Sequence, residues 1–139
     1  MDQHFKIITP VYNAKNWIGK CIESVKAQTH EDFQQIIIDD NSMDSTSEVA
    51  REFIGDDERF KLICNDKRMG VPSLQKKGVE ESKASREDII VHLDGDDWFY
   101  DNSSLAKVLK VYEETECWLT YGNYITTTGE KPIARKYTG

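Results

Sequence analysis

Ile89–Ile90–Val91–His92–Leu93–Asp94–Gly95–Asp96–Asp97–Trp98 is the stretch on which the fold turns. A run of strand-forming apolar residues ends abruptly in three carboxylates spread over four positions. The continuous Ile/Ile/Val/Leu run suits a strand buried on both faces of a parallel sheet. In that setting His92 reads as a hydrogen-bonded core residue. The acids then fall just past the strand's C-terminal end, where open α/β sheets take their ligands. Three acids this close repel one another. Either they form a solvated turn, or a hard divalent cation carrying phosphate oxygens neutralises them. A calcium EF-loop is excluded, because Trp98 and Phe99 stand where that loop needs an oxygen ligand and a glycine.

Working outward, strands and helices alternate. Phe5–Thr9 reads as a first strand stopped by Pro10, and the loop from Thr9 to Ala14 leads to a helix over about Lys15–Gln28. Trp17, Ile18, Cys21, Ile22 and Val25 share one face of that helix at helical spacing. Phe33–Ile38 is a second strand ending in Asp39–Asp40–Asn41–Ser42. Ser45–Thr46–Ser47–Glu48 has the capping-box pattern and opens a helix with Val49 and Phe53 inward. Phe60–Asn65 is a third strand. Gly70–Ser73 starts a helix that tolerates Pro72 in its first turn and carries Leu74 and Val79.

After the acids, Ser103 or Ser104 caps a helix whose buried side carries Leu105, Val108, Leu109 and Tyr112. Trp118–Tyr121 begins one more strand, with Trp118 and Tyr121 reading as core. Four strand–helix alternations with short connections imply an α/β fold with a mostly parallel central sheet flanked by helices. Three strand ends then share one edge and can converge on one ligand.

Composition narrows the class. The chain has 139 residues, 25 acids against 18 Lys and Arg, and a formal net charge of −7, which suits one soluble domain and argues against nucleic acid as a partner. Cys21, Cys64 and Cys117 are far apart and in no metal-ligand spacing, so they read as reduced core thiols. The polar N-terminus and the lack of a spanning apolar run point to a cytoplasmic protein, with peripheral membrane contact allowed.

Thr9–Pro10–Val11–Tyr12–Asn13, Ile36–Ile37–Ile38–Asp39–Asp40–Asn41–Ser42 with Asp44–Ser45–Thr46, and Leu93–Asp94–Gly95–Asp96–Asp97–Trp98 resemble, in this order, the nucleotide-sugar half of the family 2 glycosyltransferases. Cys21–Val25 and Gln28–Thr29 fit that family's first helix and its exit. The likeness runs from about residue 6 to 121.

The resemblance implies a Rossmann-like GT-A fold, with residues 1–125 as the nucleotide-sugar-binding domain and 126–139 as a tail toward a missing or shortened acceptor region. It implies that Pro10 and Tyr12 line the base pocket, with the Tyr12 ring against uracil or another base. Asp40, with Asp39 beside it, would accept a hydrogen bond from the base edge. Asp96 would bind Mn²⁺ or Mg²⁺, Asp94 would touch the ribose or a metal-bound water, Gly95 would leave room for the diphosphate, and Asp97 would support them.

The activity so implied is metal-dependent, inverting transfer of a sugar, from a UDP-sugar by family frequency, to a glycan, lipid-linked or protein acceptor. A truncated relative that binds nucleotide without transferring is the alternative. Ile38–Asp39–Asp40–Asn41 also resembles a receiver domain's acidic pair, but in receivers that pair follows the first strand. Two departures from the family stand out. Gln75–Lys76 replaces an Arg–Asn pair whose arginine helps hold the nucleotide, leaving Lys76, Lys77 or Arg68 as substitutes. No catalytic base is assigned, since Glu113, Glu114 and Glu116 read as solvated and Glu130 lies in a turn.

Overall fold

A computed structural model describes residues 4–129. Its elements run β1 Phe5–Val11, α1 Ile18–Lys26, β2 Phe33–Asp39, α2 Thr46–Ile54, β3 Phe60–Cys64, α3 Val71–Ser82, β4 Ile89–His92 and α4 Ser104–Glu114. The four strands form one parallel sheet in the order β3-β2-β1-β4. β1 and β2 therefore lie inside the sheet, and the strand order reverses between β1 and β4. That reversal is where doubly wound sheets open a ligand crevice at their carboxyl ends.

The period of two along the strands divides the core. Phe5, Ile7, Val11, Phe33 and Ile37 pack with Ile18, Cys21, Ile22 and Val25 of α1, Ala50 of α2 and Leu105 of α4. Ile8, Ile36 and Ile38 point the other way and meet Leu74 of α3. Gly78 brings α3 onto β1, since a Cβ there would lie 2.3 Å from Ile8 Cγ2. Val79, the next residue, is exposed.

Pro10 does not stop β1, which continues to Val11. Its effect falls on the neighbouring strand. Ile8 and Pro10 direct their carbonyls toward β4, accepting from Leu93 N and Gly95 N at 3.1 Å each. Pro10 has no N–H to return on that side, and the β1–β4 pairing ends at Ile8 and His92.

Several other expectations are corrected. β4 is not buried on both faces: it pairs with β1 alone among the described residues, Ile90 and Val91 are half-buried, and His92 is exposed. Trp17 precedes α1 and is exposed rather than inward. Trp118–Tyr121 forms no strand, and Trp118 and Tyr121 lie in solvent, because no described element pairs with or covers that segment. Of the three thiols, Cys21 is buried, Cys117 is half-buried and Cys64 is exposed at the end of β3.

Neither expected serine cap forms: the Ser45 and Ser103 side chains make no capping bond. Instead Asp44 accepts from Thr46 N at 2.9 Å, and Asp101 from Ser103 N at 2.9 Å. A carboxylate two residues back is the stronger acceptor for an unpaired helix-end N–H. Glu130 and Lys131–Lys136 lie outside the described residues.

Candidate functional site

The loops after β1 and β2 are laced together by their own polar side chains. Asn13 and Asn41 take left-handed backbone (φ 49° and 61°), which asparagine tolerates better than most residues. Asn13 N donates to Ser42 Oγ at 2.9 Å, and Asn13 Oδ1 accepts from Met43 N at 2.8 Å. Ala14 N donates to Thr46 Oγ1 at 2.9 Å, and Lys15 N to Asp44 Oδ2 at 3.3 Å. Asp39 Oδ1 accepts from Ser42 N at 2.9 Å, so this carboxylate pins the loop that follows β2. Asn13, Ser42, Asp44 and Thr46 thus have a mechanical reason for their places in the sequence.

Asp40 is 1 % exposed and organises a different loop. Its Oδ1 accepts from Met69 N at 2.8 Å and Asn65 Nδ2 at 3.2 Å, and its Oδ2 from Gly70 N at 3.0 Å. Arg68 Nε stands 3.7 Å from Oδ2. Burial pushes this carboxyl up, but the Gly70 and Met69 amides, Asn65 and Arg68 outweigh it and hold it below the usual carboxylate range. Arg68 also lies over the Tyr12 ring, 3.5 Å from its centroid.

The acidic loop is held from beneath by α1. Cys21 Sγ lies 3.8 Å from the Asp94 carbonyl oxygen, Ser24 Oγ accepts from Phe99 N at 3.1 Å, and Gln28 Nε2 donates to the Asp101 carbonyl at 2.7 Å while its Oε1 accepts from Leu105 N at 3.0 Å. Cys21 and Ser24 are three apart on α1, and Gln28 follows just past its end. These positioning residues were missed as such in the sequence. The signal available was their polarity on an otherwise apolar face.

Asp97 N donates to the Asp94 carbonyl at 3.0 Å, closing a turn over Gly95 and Asp96. Gly95 answers to β1: a Cβ there would lie 2.5 Å from Val11 Cγ2. One oxygen from each of Asp94, Asp96 and Asp97 lies within 4.8 Å of the others. Asp97, read from the sequence as a supporting residue, is thus a full member of the cluster. Burial, then the charges of Asp96 and Asp94, raise its pKa. No Lys or Arg ion-pairs with any of the three among the described residues. Trp98, next in the chain, stacks on Trp17 (centroids 6.3 Å apart, planes 17° apart), with Lys20 Nζ 3.8 Å over its ring.

These parts surround one cleft of about 240 Å³, lined by Pro10, Val11, Tyr12 and Ala14, by Asp40, Arg68, Val71 and Leu74, and by Asp94, Gly95 and Asp96. It opens at the β1/β4 reversal. Pro10, Tyr12, Asp40, Asp94 and Asp96 are brought together there, whereas Asp39 is outside the lining and bonded to Ser42 N. Clustered carboxylate oxygens without a cationic side chain suit a hard divalent ion, and the aromatic ring at the other wall offers a planar ligand a face.

Among known proteins, the chain is 34% identical over 118 residues to an uncharacterized glycosyltransferase of Haemophilus influenzae, covering 85% of this chain and 46% of that one. It is 26% identical over 124 residues to the glycosyltransferase GlyA of Streptococcus pneumoniae, covering 89% of this chain and 17% of that one. The chain thus spans less than half the length of either relative. Among solved structures, it superimposes on S. aureus TarS 1–349 in complex with UDP with a TM-score of 0.70 at 19% identity, over 81% of this chain and 32% of that one. The mannosyltransferase PcManGT from Pyrobaculum calidifontis, in complex with GDP-Man and Mn²⁺, gives a TM-score of 0.69 at 19% identity, over 77% and 31%. These likenesses identify the sheet and its helices as a GT-A fold. The model of glycosyl transferase family 2 matches residues 6–138, nearly the whole length, and the chain belongs to that family.

Proposed function

We propose that this chain is the donor-binding part of a glycosyltransferase that moves a sugar from a nucleoside diphosphate to an acceptor hydroxyl with inversion at the anomeric carbon. The observation that carries the reading is the meeting of Asp94 and Asp96, with Asp97 clustered beside them, at one wall of a cleft whose other wall is Tyr12, Arg68 and Asp40. Asp96 and Asp94 would hold Mn²⁺ or Mg²⁺, and the all-oxygen donor set fits such an ion. When bound, the metal supplies positive charge against the diphosphate leaving group. The chain's own residues would bind and orient the donor. Tyr12 offers its ring to the base, Pro10 and Val71 line the pocket, and the α1 row holds the acidic turn in place.

The donor read here is a UDP-sugar, on family frequency, and TarS was solved with UDP and with UDP-GlcNAc. Residues 1–125 form the donor domain in this proposal, and 126–139 lead toward the acceptor region. A glycan, a lipid-linked sugar or a protein supplies the hydroxyl. No described helix is long and apolar enough to cross a membrane, and we place the protein in the cytoplasm, with peripheral membrane contact allowed.

Calorimetry with UDP, with and without Mn²⁺, tests the reading. Metal-dependent binding that Asp96→Ala abolishes supports it, and unchanged affinity in Asp96→Ala refutes the metal assignment. A second reading, a nucleotide-sugar-binding module without transfer, is favoured by one observation. Glu113, Glu114 and Glu116 are exposed around the end of α4, and none lines the cleft. Release of free UDP from a UDP-sugar separates the two readings.

A further inference from the structure

Three basic residues could make up for the arginine that Gln75 replaces, and their surroundings differ. Lys76 is a surface residue paired with Glu80 at 3.9 Å. Lys77 Nζ is bonded to Asn65 Oδ1 at 2.6 Å. Neither lines the cleft, and Arg68 does. Arg68 is also the only cationic side chain in a lining that carries Asp40, Asp94 and Asp96.

Its guanidinium is already oriented: Nε faces Asp40 Oδ2 at 3.7 Å and the group rests on the Tyr12 ring at 3.5 Å. Asp40 itself is fixed by three hydrogen bonds from Met69, Gly70 and Asn65, so the tether is anchored. The two Nη groups have no hydrogen-bond partner among the described residues, and Arg68 remains 56 % exposed. A planar fork of unengaged N–H donors, held by an anion behind and a ring below, is suited to phosphate oxygens.

We propose that Arg68 binds the phosphate oxygens of the nucleotide directly, with Asp40 and Tyr12 aiming it. The inference rests on the cleft being a nucleoside diphosphate site. It gives Asp40 a role beyond the base edge, since most of its acceptor capacity goes to shaping the Arg68–Gly70 turn.

The test is calorimetry with UDP and with GDP, each with Mn²⁺, at low and at physiological salt. The proteins are the full chain, Arg68→Ala, Arg68→Lys and Lys76→Ala, with thermal melts to check that each is folded. Arg68→Ala should weaken the bound nucleotide by tenfold or more and flatten its salt dependence, because a phosphate contact is screened by salt. Arg68→Lys should fall between, keeping charge without the fork. Lys76→Ala should match the parent.

Binding by Arg68→Ala within twofold of the parent overturns the proposal. So does weaker binding with unchanged salt dependence, which would mark a contact to the base or a packing role under Tyr12. If the parent chain binds neither nucleotide with Mn²⁺, the reading of the cleft itself falls, a result distinct from an intact parent with an indifferent Arg68→Ala.

Discussion

The N–H of Gly95 donates to the carbonyl oxygen of Pro10 across 3.1 Å, tying the acidic turn to the strand that carries the other wall of the cleft. The approach is close enough that a Cβ at 95 would fall 2.5 Å from Val11 Cγ2 and 2.7 Å from Val11 Cβ. β1 is central and cannot retreat, so Gly95→Ala must push the turn outward. We expect a stability cost of about 1–3 kcal/mol, the usual range for overpacking, with weakened Mn²⁺-dependent binding. Val11→Ala in the same chain removes the nearer clash and should recover part of both. Melting temperature and calorimetry read the two effects.

The α1 row yields a second expectation. Gln28 is 4 % exposed and satisfies the Asp101 carbonyl and the N–H of Leu105 in the first turn of α4. Gln28→Ala strands both groups in a buried place, which costs about 1–3 kcal/mol. Ser24→Ala loses the bond to the half-buried Phe99 N and the hydroxyl's bond to the Cys21 carbonyl within α1 and should cost about 0.5–1.5 kcal/mol. Urea denaturation would rank them, and Ser24→Ala matching or exceeding Gln28→Ala would contradict the ranking.

The reach and the limits of the sequence follow from what periodicity encodes. Runs such as Ile36–Ile38 announce strands because both faces of β2 are covered, and the acids at strand ends mark the open edge. Periodicity reports which residues are apolar, not what stands beside them. Ile89–Val91 is as apolar as β2 and yet lies at the sheet edge among the described residues, so apolarity alone makes His92 look like core. Trp118 and Tyr121 were misread for the same reason. Trp17 fits the helical face by spacing but precedes the helix and stacks on Trp98 instead. The division between Asp39 and Asp40 was within reach, because consecutive positions at a strand end point to opposite faces. What spacing could not supply was the loop partner: the Arg68–Gly70 turn comes from beyond β3, and its alliance with Asp40 exists only in three dimensions.

The thiols should react in an order set by their surroundings. Burial pushes Cys21 up to about 12; the Gln35 amide opposes this, and the charges of Asp97, Asp96 and Asp94 add to it. Thiolate is the reactive form, so at pH 8 Cys21 is both covered and protonated. Cys64 is exposed and Cys117 half-buried. Ellman's reagent should therefore modify Cys64 first and Cys117 next, with Cys21 reacting on addition of denaturant. Labelling of Cys21 in the folded protein at a rate near that of Cys64 would show that the α1 row does not pack against the acidic turn as described.

Asp40 gives the fold an acid-sensitive joint. Its folded pKa lies below the unfolded value of about 3.9, because the Gly70 and Met69 amides, Asn65 and Arg68 overcome the upward push of burial. The unfolded chain therefore takes up the proton more readily. The linkage stabilises the fold fully above the unfolded value and is lost as pH falls through the folded one. Asp44 and Asp101 are depressed in the same direction, so loss of stability in acid does not by itself identify Asp40. Asp40→Asn does. The variant cannot accept from both Gly70 N and Met69 N while turning its own NH₂ elsewhere, and at pH 7 it should be less stable by about 1–3 kcal/mol. As pH falls below the unfolded value the parent's unfolded chain takes up the Asp40 proton before the folded one does, while the variant has nothing to titrate there, so the gap must narrow as pH falls. Denaturation midpoints of the two proteins from pH 7 to pH 3 would show it. A gap that stays constant across that range would mean that the Asp40 carboxylate does not hold the Arg68–Gly70 turn through its charge.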